Sequence, residues 1–230
     1  MAAAENHLIA LLPRRERLRL LALCDTVHLE FGAVLCEAGD ITRDVYFPIG
    51  AFISLVTPVE GQPVLEVGMV GREGMLGAQL ALGVNVMPLH AVIQGSGAAR
   101  RVGAAAFRRE LAGNMPLQRV LSRYVYVLMT QLATSAACTR FHHIGARLAR
   151  WLLMSQDRAH SDRIRLTHEF LAYMLGVRRV GITRAASDLQ HDGVIRYHRG
   201  EITVLDRPAL EAAACSCYAA DRFTYDGQLG

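Results

Sequence analysis

Four side chains between Arg178 and Arg184 have types and a spacing that could read a nucleic acid. On a helix, Arg178, Arg179, Thr183 and Arg184 share an outer face, with Val180 among them. Ile182, Ala185, Ala186 and Leu189 occupy the opposite, packing face. An arginine near the N-terminal end of such a helix can place two hydrogen bonds on guanine O6 and N7. Thr167 and His168 open the preceding helix. Arg196, His198 and Arg199 follow in a short hairpin, where they could touch phosphate. A solvated helix face in some other helical domain would also carry arginines, but three of them cluster on the one helix that the spacing marks for a groove.

The elements that must position these groups are legible around them. Thr167 is a good N-cap, and Leu171, Met174 and Leu175 make the apolar face of a short helix. Gly176 can take positive φ and turn the chain. Ala172, Gly176 and Ile182 then stand at the small–glycine–aliphatic spacing of a helix-turn-helix. Val194–Tyr197 and Ile202–Leu205, joined at Arg199-Gly200, predict a β-hairpin wing. Upstream, Ile144, Leu148, Trp151 and Leu152 give one face of a helix that begins near Phe141, with Arg147 and Arg150 on another. Ser155 to Arg163 reads as a polar loop.

Charge follows the same division. Met1 to Met115 holds ten arginines against eleven acidic residues, whereas Arg140 to Arg207 holds twelve against seven, with six of the nine histidines. The excess suits an anionic partner such as double-stranded DNA. No lysine occurs in the chain, a bias that fits genomic base composition.

Thirteen of the twenty glycines lie between Gly32 and Gly113. They punctuate short apolar runs at Val34–Cys36, Val45–Phe47, Phe52–Val56, Val64–Val70 and His90–Ile93. Turn signals fall at Gly39-Asp40, Pro48, Thr57-Pro58, Glu60-Gly61 and Gly95-Ser96-Gly97. Short strands at this spacing predict an antiparallel β-roll or small barrel, a cupin-like jelly roll. A helix over Asn6–Leu23, broken at Pro13, precedes it. From Pro116, the residues Leu117, Leu121, Tyr124, Leu128, Gln131 and Ser135 step alternately by four and three, the seam of one long helix. No acidic residue occurs from Pro116 to Thr139. The seam is assigned to dimerisation, with packing on the chain's own β-domain as the alternative. The fold class is therefore α+β in three parts: a β-roll effector domain over 1–115, a dimerisation helix over 116–141 and a winged helix-turn-helix over 142–230.

Other chemistry finds less support. Cys24, Cys36, Cys138, Cys215 and Cys217 are odd in number and spread out, poor material for a disulfide framework. Cys215-Ser216-Cys217 is the one close pair, and metal sites need three or four ligands. The pair reads as ordinary thiols, with a redox role left open. His142 and His143 point in different directions on a helix, and no metal or cofactor is expected. A cupin-like metal enzyme would want two histidines and a carboxylate closely spaced in the barrel. His28 and His90 are far apart, and nothing pairs with Glu66 or Glu73 as an acid/base couple. No enzyme activity is expected. Apolar runs such as Tyr124–Met129 are too short for a bilayer span, so the protein is expected in the cytoplasm without a membrane partner.

The order of β-roll, long helix and winged helix-turn-helix resembles the Crp/Fnr superfamily over nearly the whole chain, most specifically from Thr167 to Ile195. The resemblance places the family's turn glycine at Gly176 and its base-reading arginines at Arg179 and Arg184. Val180 stands where a glutamate is frequent, so the preferred DNA sequence is expected to differ. It implies a homodimer on a two-fold symmetric site, a small-molecule effector of unknown identity and contact with RNA polymerase. A repressor whose β-roll is only a scaffold is the alternative. The family's cyclic-nucleotide segments fall on Gly74-Met75-Leu76-Gly77 and Leu89-His90-Ala91, where Met75 and Leu89 replace the ligating glutamate and arginine. Losing the arginine removes roughly 1.5–3 kcal/mol of charge-assisted contact, so the usual cyclic-AMP mode is not expected. Arg72, Arg100 and Arg101 read as surface arginines rather than replacement anion ligands.

Overall fold

The computed structural model describes residues 5–60 and 62–230; the expected turn residue Gly61 lies outside them. The chain forms two compact units: Met1–Leu55 with Gly68–Thr130 and Thr224–Gly230, and Val56–Val67 with Gln131–Phe223. Both cut across the sequence boundaries at 115 and 141, since the long helix is divided at Thr130 and the chain end goes with the first unit. Among the described residues no helix is long and apolar enough to cross a membrane.

In the first unit Asn6 is fully buried. Its side chain accepts from Leu8 N at 3.0 Å, and its amide donates to the carbonyls of Pro48 and Gly74. Helices α1 (His7–Ala10) and α2 (Arg14–Leu21) meet at Pro13, as its missing donor and fixed φ require. The strands β1 (Asp25–Leu29), β2 (Val34–Cys36), β3 (Asp44–Pro48), β4 (Phe52–Val59), β5 (Gln62–Val70), β6 (His90–Gly95) and β7 (Gly97–Gly103) follow. They form two sheets, ordered β1-β7-β3 and β2-β6-β4-β5, with antiparallel pairing at β1–β7, β3–β7 and β2–β6. The chain changes sheet at Ser96. A Cβ on Gly97 would lie 2.5 Å from the Gly50 carbonyl carbon, so only glycine fits there.

Several expectations need correction. Thr57-Pro58 is not a turn: β4 runs through it to Val59. Pro58 is exposed and penultimate, so the donor its ring lacks is missing only at the solvent-facing end of the ladder. Strands β1 and β7 went unpredicted because polar and small residues replace the apolar alternation. Arg100 and Arg101 of β7 are held by partners, Arg100 by Glu5 (3.3 Å) and Thr26 (2.6 Å), Arg101 by Asp25 (3.2 Å).

Helix α3 (Ala104–Ala112) leads into α4 (Met115–Phe141). Leu117, Leu121 and Tyr124 of α4 are 3% exposed or less and sit in the first unit's core with Phe47, Met75 and Phe107. Tyr124 donates to the Met75 carbonyl at 3.2 Å. These three residues cannot be dimer contacts, since their surface is already spent inside the protomer, and Leu128 packs against the same core. Gln131 is buried as well. The exposed positions of α4 instead step through Ser122, Tyr126, Met129, Ala133, Ala136 and Arg140.

The second unit packs α5 (Ile144–Ala159), β8 (Arg163–Arg165), α6 (His168–Leu175), α7 (Arg179–His191), β9 (Ile195–His198), β10 (Glu201–Val204), α8 (Arg207–Ala213) and the start of α9 (Cys217–Leu229). The expected loop from Ser155 is largely helix. Ser155 and Gln156 are buried, Arg158 donates to the Met154 carbonyl, and Arg207 binds Gln156 (2.8 Å) and Asp157 (2.7 Å). Gln156, Asp157 and Arg158, with internal partners of this kind, are compatible with a helix interior. Trp151 Nε1 donates to Glu66 at 2.9 Å, which accounts for one of the two carboxylates without an acid/base partner.

Candidate nucleic-acid interface

Thr167 Oγ1 accepts from Phe170 N at 3.1 Å and starts α6, as its type predicts. Gly176 ends α6 with φ +61, and a Cβ there would meet Leu65 Cδ1 at 2.8 Å. The left-handed backbone favours glycine there, and an added Cβ would also push the end of the Leu65 side chain aside. Ile182, Ala185, Ala186 and Leu189 are buried beneath α7. Arg178, as its N-cap, and Arg179, Val180, Thr183 and Arg184 are exposed. Among the described residues none of the three guanidiniums makes an ion pair or a side-chain hydrogen bond, so their donors face solvent. The sequence's outer face is therefore an outer face in three dimensions.

Other arginines of the basic half are spent internally. Arg147 donates to the Leu175 carbonyl at the end of α6. Arg150 is buried against Asp221 at 2.6 Å and reaches Ser135 at 3.3 Å. Arg158 and Arg207 are engaged as described. The positive excess counted along the sequence thus overstates what a partner would meet.

The wing is a three-stranded sheet, β8-β10-β9. Arg199 (φ 48) and Gly200 (φ 78) both take positive φ, the two-residue turn that matches strand twist. Register sets Arg163, Thr203 and Arg196 in one row, and Arg165, Glu201 and His198 in the next. Period-2 alternation puts all of them on the face opposite Ile164, Ile202 and Ile195. Arg163, Arg165, Arg196, His198 and Arg199 are exposed. Arg163 and Arg165 were missed because their strand was read as the end of a loop; the short alternation Arg163-Ile164-Arg165 was the available signal.

His168 joins the two parts. Its ring stacks on Tyr197 of β9, and its Nδ1 lies 3.1 Å from Thr183 Oγ1 of α7. Thr183 spends its own proton on the Arg179 carbonyl, so His168 Nδ1 carries the hydrogen and donates. Nε2 is then a buried acceptor without a partner. Burial, with the nearby Arg179 charge, holds the His168 pKa below the ordinary histidine value, so the ring is neutral.

Two further groups of predicted residues lie apart from this surface. In the first unit, a cavity of about 590 Å³ is lined by residues of the 35–46 stretch with Leu76 and Met87. Of the predicted effector residues only Leu76 lines it. Met75 is in the core, Gly74 lies against the Tyr124 ring, Gly77 caps a short 3-10 turn, Leu89 lies half-buried against the first unit's Leu29, Ile53 and Ile93, and His90 pairs with Glu37. In the second unit, Cys215 and Cys217 are not a lone pair: Cys138 and His142 stand beside them.

A profile of the Crp-like helix-turn-helix domain matches residues 146–213. The Crp-like architecture also extends over most of the chain. FixK2 from Bradyrhizobium japonicum is 13% identical with a TM-score of 0.70, covering 84% of this chain and 98% of its own. The c-di-GMP responsive global regulator CLP of Xanthomonas campestris is 14% identical with a TM-score of 0.68, covering 84% and 100%. A CRP-family transcriptional regulator from Thermus thermophilus, TTHB099, is 18% identical with a TM-score of 0.65, covering 82% and 96%. At such identities the likeness is one of fold: the chain has the Crp/Fnr regulator fold. No curated protein sequence matches it significantly.

Proposed function

We propose that this chain is a sequence-specific DNA-binding transcription regulator that acts in the cytoplasm as a homodimer. The observation that carries this is the set of free guanidiniums at Arg178, Arg179 and Arg184, presented on the exposed side of a Crp-like α7 and flanked by a basic wing. Arg179 and Arg184 read bases in the major groove, while Thr167, Arg178, Arg196 and Arg199 fix the register on phosphates and His168, bonded to Thr183, positions α7 behind them. Val180, 72% exposed, offers a methyl surface to a thymine methyl where a glutamate would accept from cytosine. Dimerisation uses the exposed α4 row at Tyr126, Met129, Ala133 and Ala136 in place of the predicted seam. Two copies then put their α7 helices into major grooves one helical turn apart.

The β-roll is the sensor, and its effector is a small molecule other than cyclic AMP in the usual mode. The burial of Met75, 1% exposed, supports this, because a ligating carboxylate there would have to enter a core, and the half-buried Leu89 brings no charge where the resemblance places an arginine. Isothermal calorimetry with cyclic AMP is expected to show no micromolar binding. Recruitment of RNA polymerase follows from the regulator role. No catalytic role is part of the proposal.

The test is equilibrium binding of the full-length protein to fluorescent genomic promoter fragments. The wild type is compared with a variant carrying Arg178→Ala, Arg179→Ala and Arg184→Ala. Loss of binding in a variant with unchanged circular dichroism is expected; equal binding by both would remove α7 from the interface.

A further inference from the structure

We infer that Cys138, His142, Cys215 and Cys217 form a structural zinc site. Their ligand atoms, three Sγ and one imidazole nitrogen, all lie within 4.8 Å of one another. The Cys138 and Cys215 sulfurs are 3.5 Å apart, and Cys217 Sγ is 3.6 Å from His142 Nδ1. A tetrahedral zinc with Zn–S near 2.3 Å and Zn–N near 2.0 Å needs ligand–ligand edges of roughly 3.5–3.8 Å. The two resolved edges already have that length. Among the described residues this is the one cluster of three or more histidine, cysteine or acidic side chains able to hold an ion.

The local structure explains how ligands so distant in sequence converge. Cys138 and His142 are four residues apart at the end of α4, so one helical turn stacks them on one side. Cys215 and Cys217 flank the bend between α8 and α9, with Cys217 the first residue of α9. The ion would clip the α4–α5 elbow to the α8–α9 elbow within the second unit. All three cysteines are 8% exposed or less. Ordinary buried thiols behave as small hydrophobes and pack against apolar neighbours. Here they face one another and an imidazole, and Ala146 is the one partly buried apolar side chain packed on the cluster among the described residues.

Charge and ligand number fit zinc better than harder cations. Three thiolates, a neutral imidazole and Zn2+ sum to one negative charge, and the Arg150 guanidinium lies within Coulomb reach of Cys138. Sulfur-rich, closed, four-ligand sites select zinc over magnesium or calcium and leave no position for a substrate. The role is therefore structural, and binding would release the thiol protons as the ion enters.

The test is on full-length protein, purified without chelator and analysed for metals by mass spectrometry. It is followed by acid stripping under reducing conditions and refilling with cobalt. One zinc per chain is expected, with the cobalt form showing the intense visible bands of a tetrahedral ion and thiolate charge-transfer absorption. Cys217→Ser and His142→Ala should lose or weaken the metal, and Cys24→Ser should keep it. If the cluster variants fail to fold, the wild-type cobalt spectrum still decides. A metal-free protein that takes up no cobalt, an octahedral spectrum, or recovery of a Cys138–Cys215 disulfide from freshly reduced, anaerobic protein would each overturn the proposal. The readout does not depend on DNA, so its failure and that of the regulator reading are separable.

Discussion

His168, at the start of α6, stacks on Tyr197 of the wing with ring centroids 4.2 Å apart and an interplanar angle of 21°. The contact couples the helix-turn-helix to the β9–β10 hairpin, and the Thr183 hydrogen bond ties both to α7. Because the folded state holds the His168 pKa down, the unfolded chain takes up the proton more readily as pH falls through about 6.5. This contribution is fully present above that pH and is lost on acidification. His168→Gln should remove a corresponding slope from urea-melt stability between neutral and mildly acidic pH.

The Arg150–Asp221 pair is nearly buried, with side chains 10% and 12% exposed. Burial raises the Asp221 pKa even though Arg150 opposes it. Arg150→Ala leaves that carboxylate without its counter-charge and should cost about 3–5 kcal/mol by chemical denaturation. Arg150→Met with Asp221→Leu should recover most of the loss. An Arg150→Ala cost as small as a surface mutation's would show that the pair is solvated.

The two faces of α4 should separate stability from association. Leu121→Ala empties part of the core and should cost about 2–5 kcal/mol without changing the association constant of folded protein. Met129, 63% exposed, lies on the outer row, and Met129→Arg should give a folded monomer by sedimentation equilibrium. The reverse pattern would restore the seam read from the sequence.

Why that seam misled is instructive. Leu117, Leu121 and Tyr124 repeat with the period of a coiled coil, but a 3–4 repeat reports an apolar stripe, not what covers it. The helix-turn-helix was readable because Thr167, Gly176 and the Ile182–Leu189 stripe each carry a local constraint. The wing turn was readable for the same reason at Arg199-Gly200. Strand β7 was hidden because its Ala99 and Val102 are buried while arginines between them are satisfied by Glu5, Thr26 and Asp25. The Cys138–His142–Cys215–Cys217 cluster was beyond reach, since only tertiary structure closes a gap of more than seventy residues.

Gly176 offers a check on the turn itself. Gly176→Ala meets both a left-handed backbone and the Leu65 side chain, and should destabilise the second unit by about 1–3 kcal/mol. Ordinary thermal stability in that variant would mean that the turn can relax.

Arg184 and Arg196 should differ in kind. Arg184→Ala should cost about 1–3 kcal/mol on the preferred site and relax one base pair, whereas Arg196→Ala should weaken all sequences alike and lower the salt slope by about 1.

The most direct measurement is selection of the purified protein, wild type and Arg184→Ala in parallel, on random duplex DNA. A two-fold symmetric consensus with half-sites about ten base pairs apart, losing one position per half-site in the variant, is the predicted result. Recovery of no consensus at low and moderate salt, or of an identical consensus from both proteins, would contradict base reading by α7.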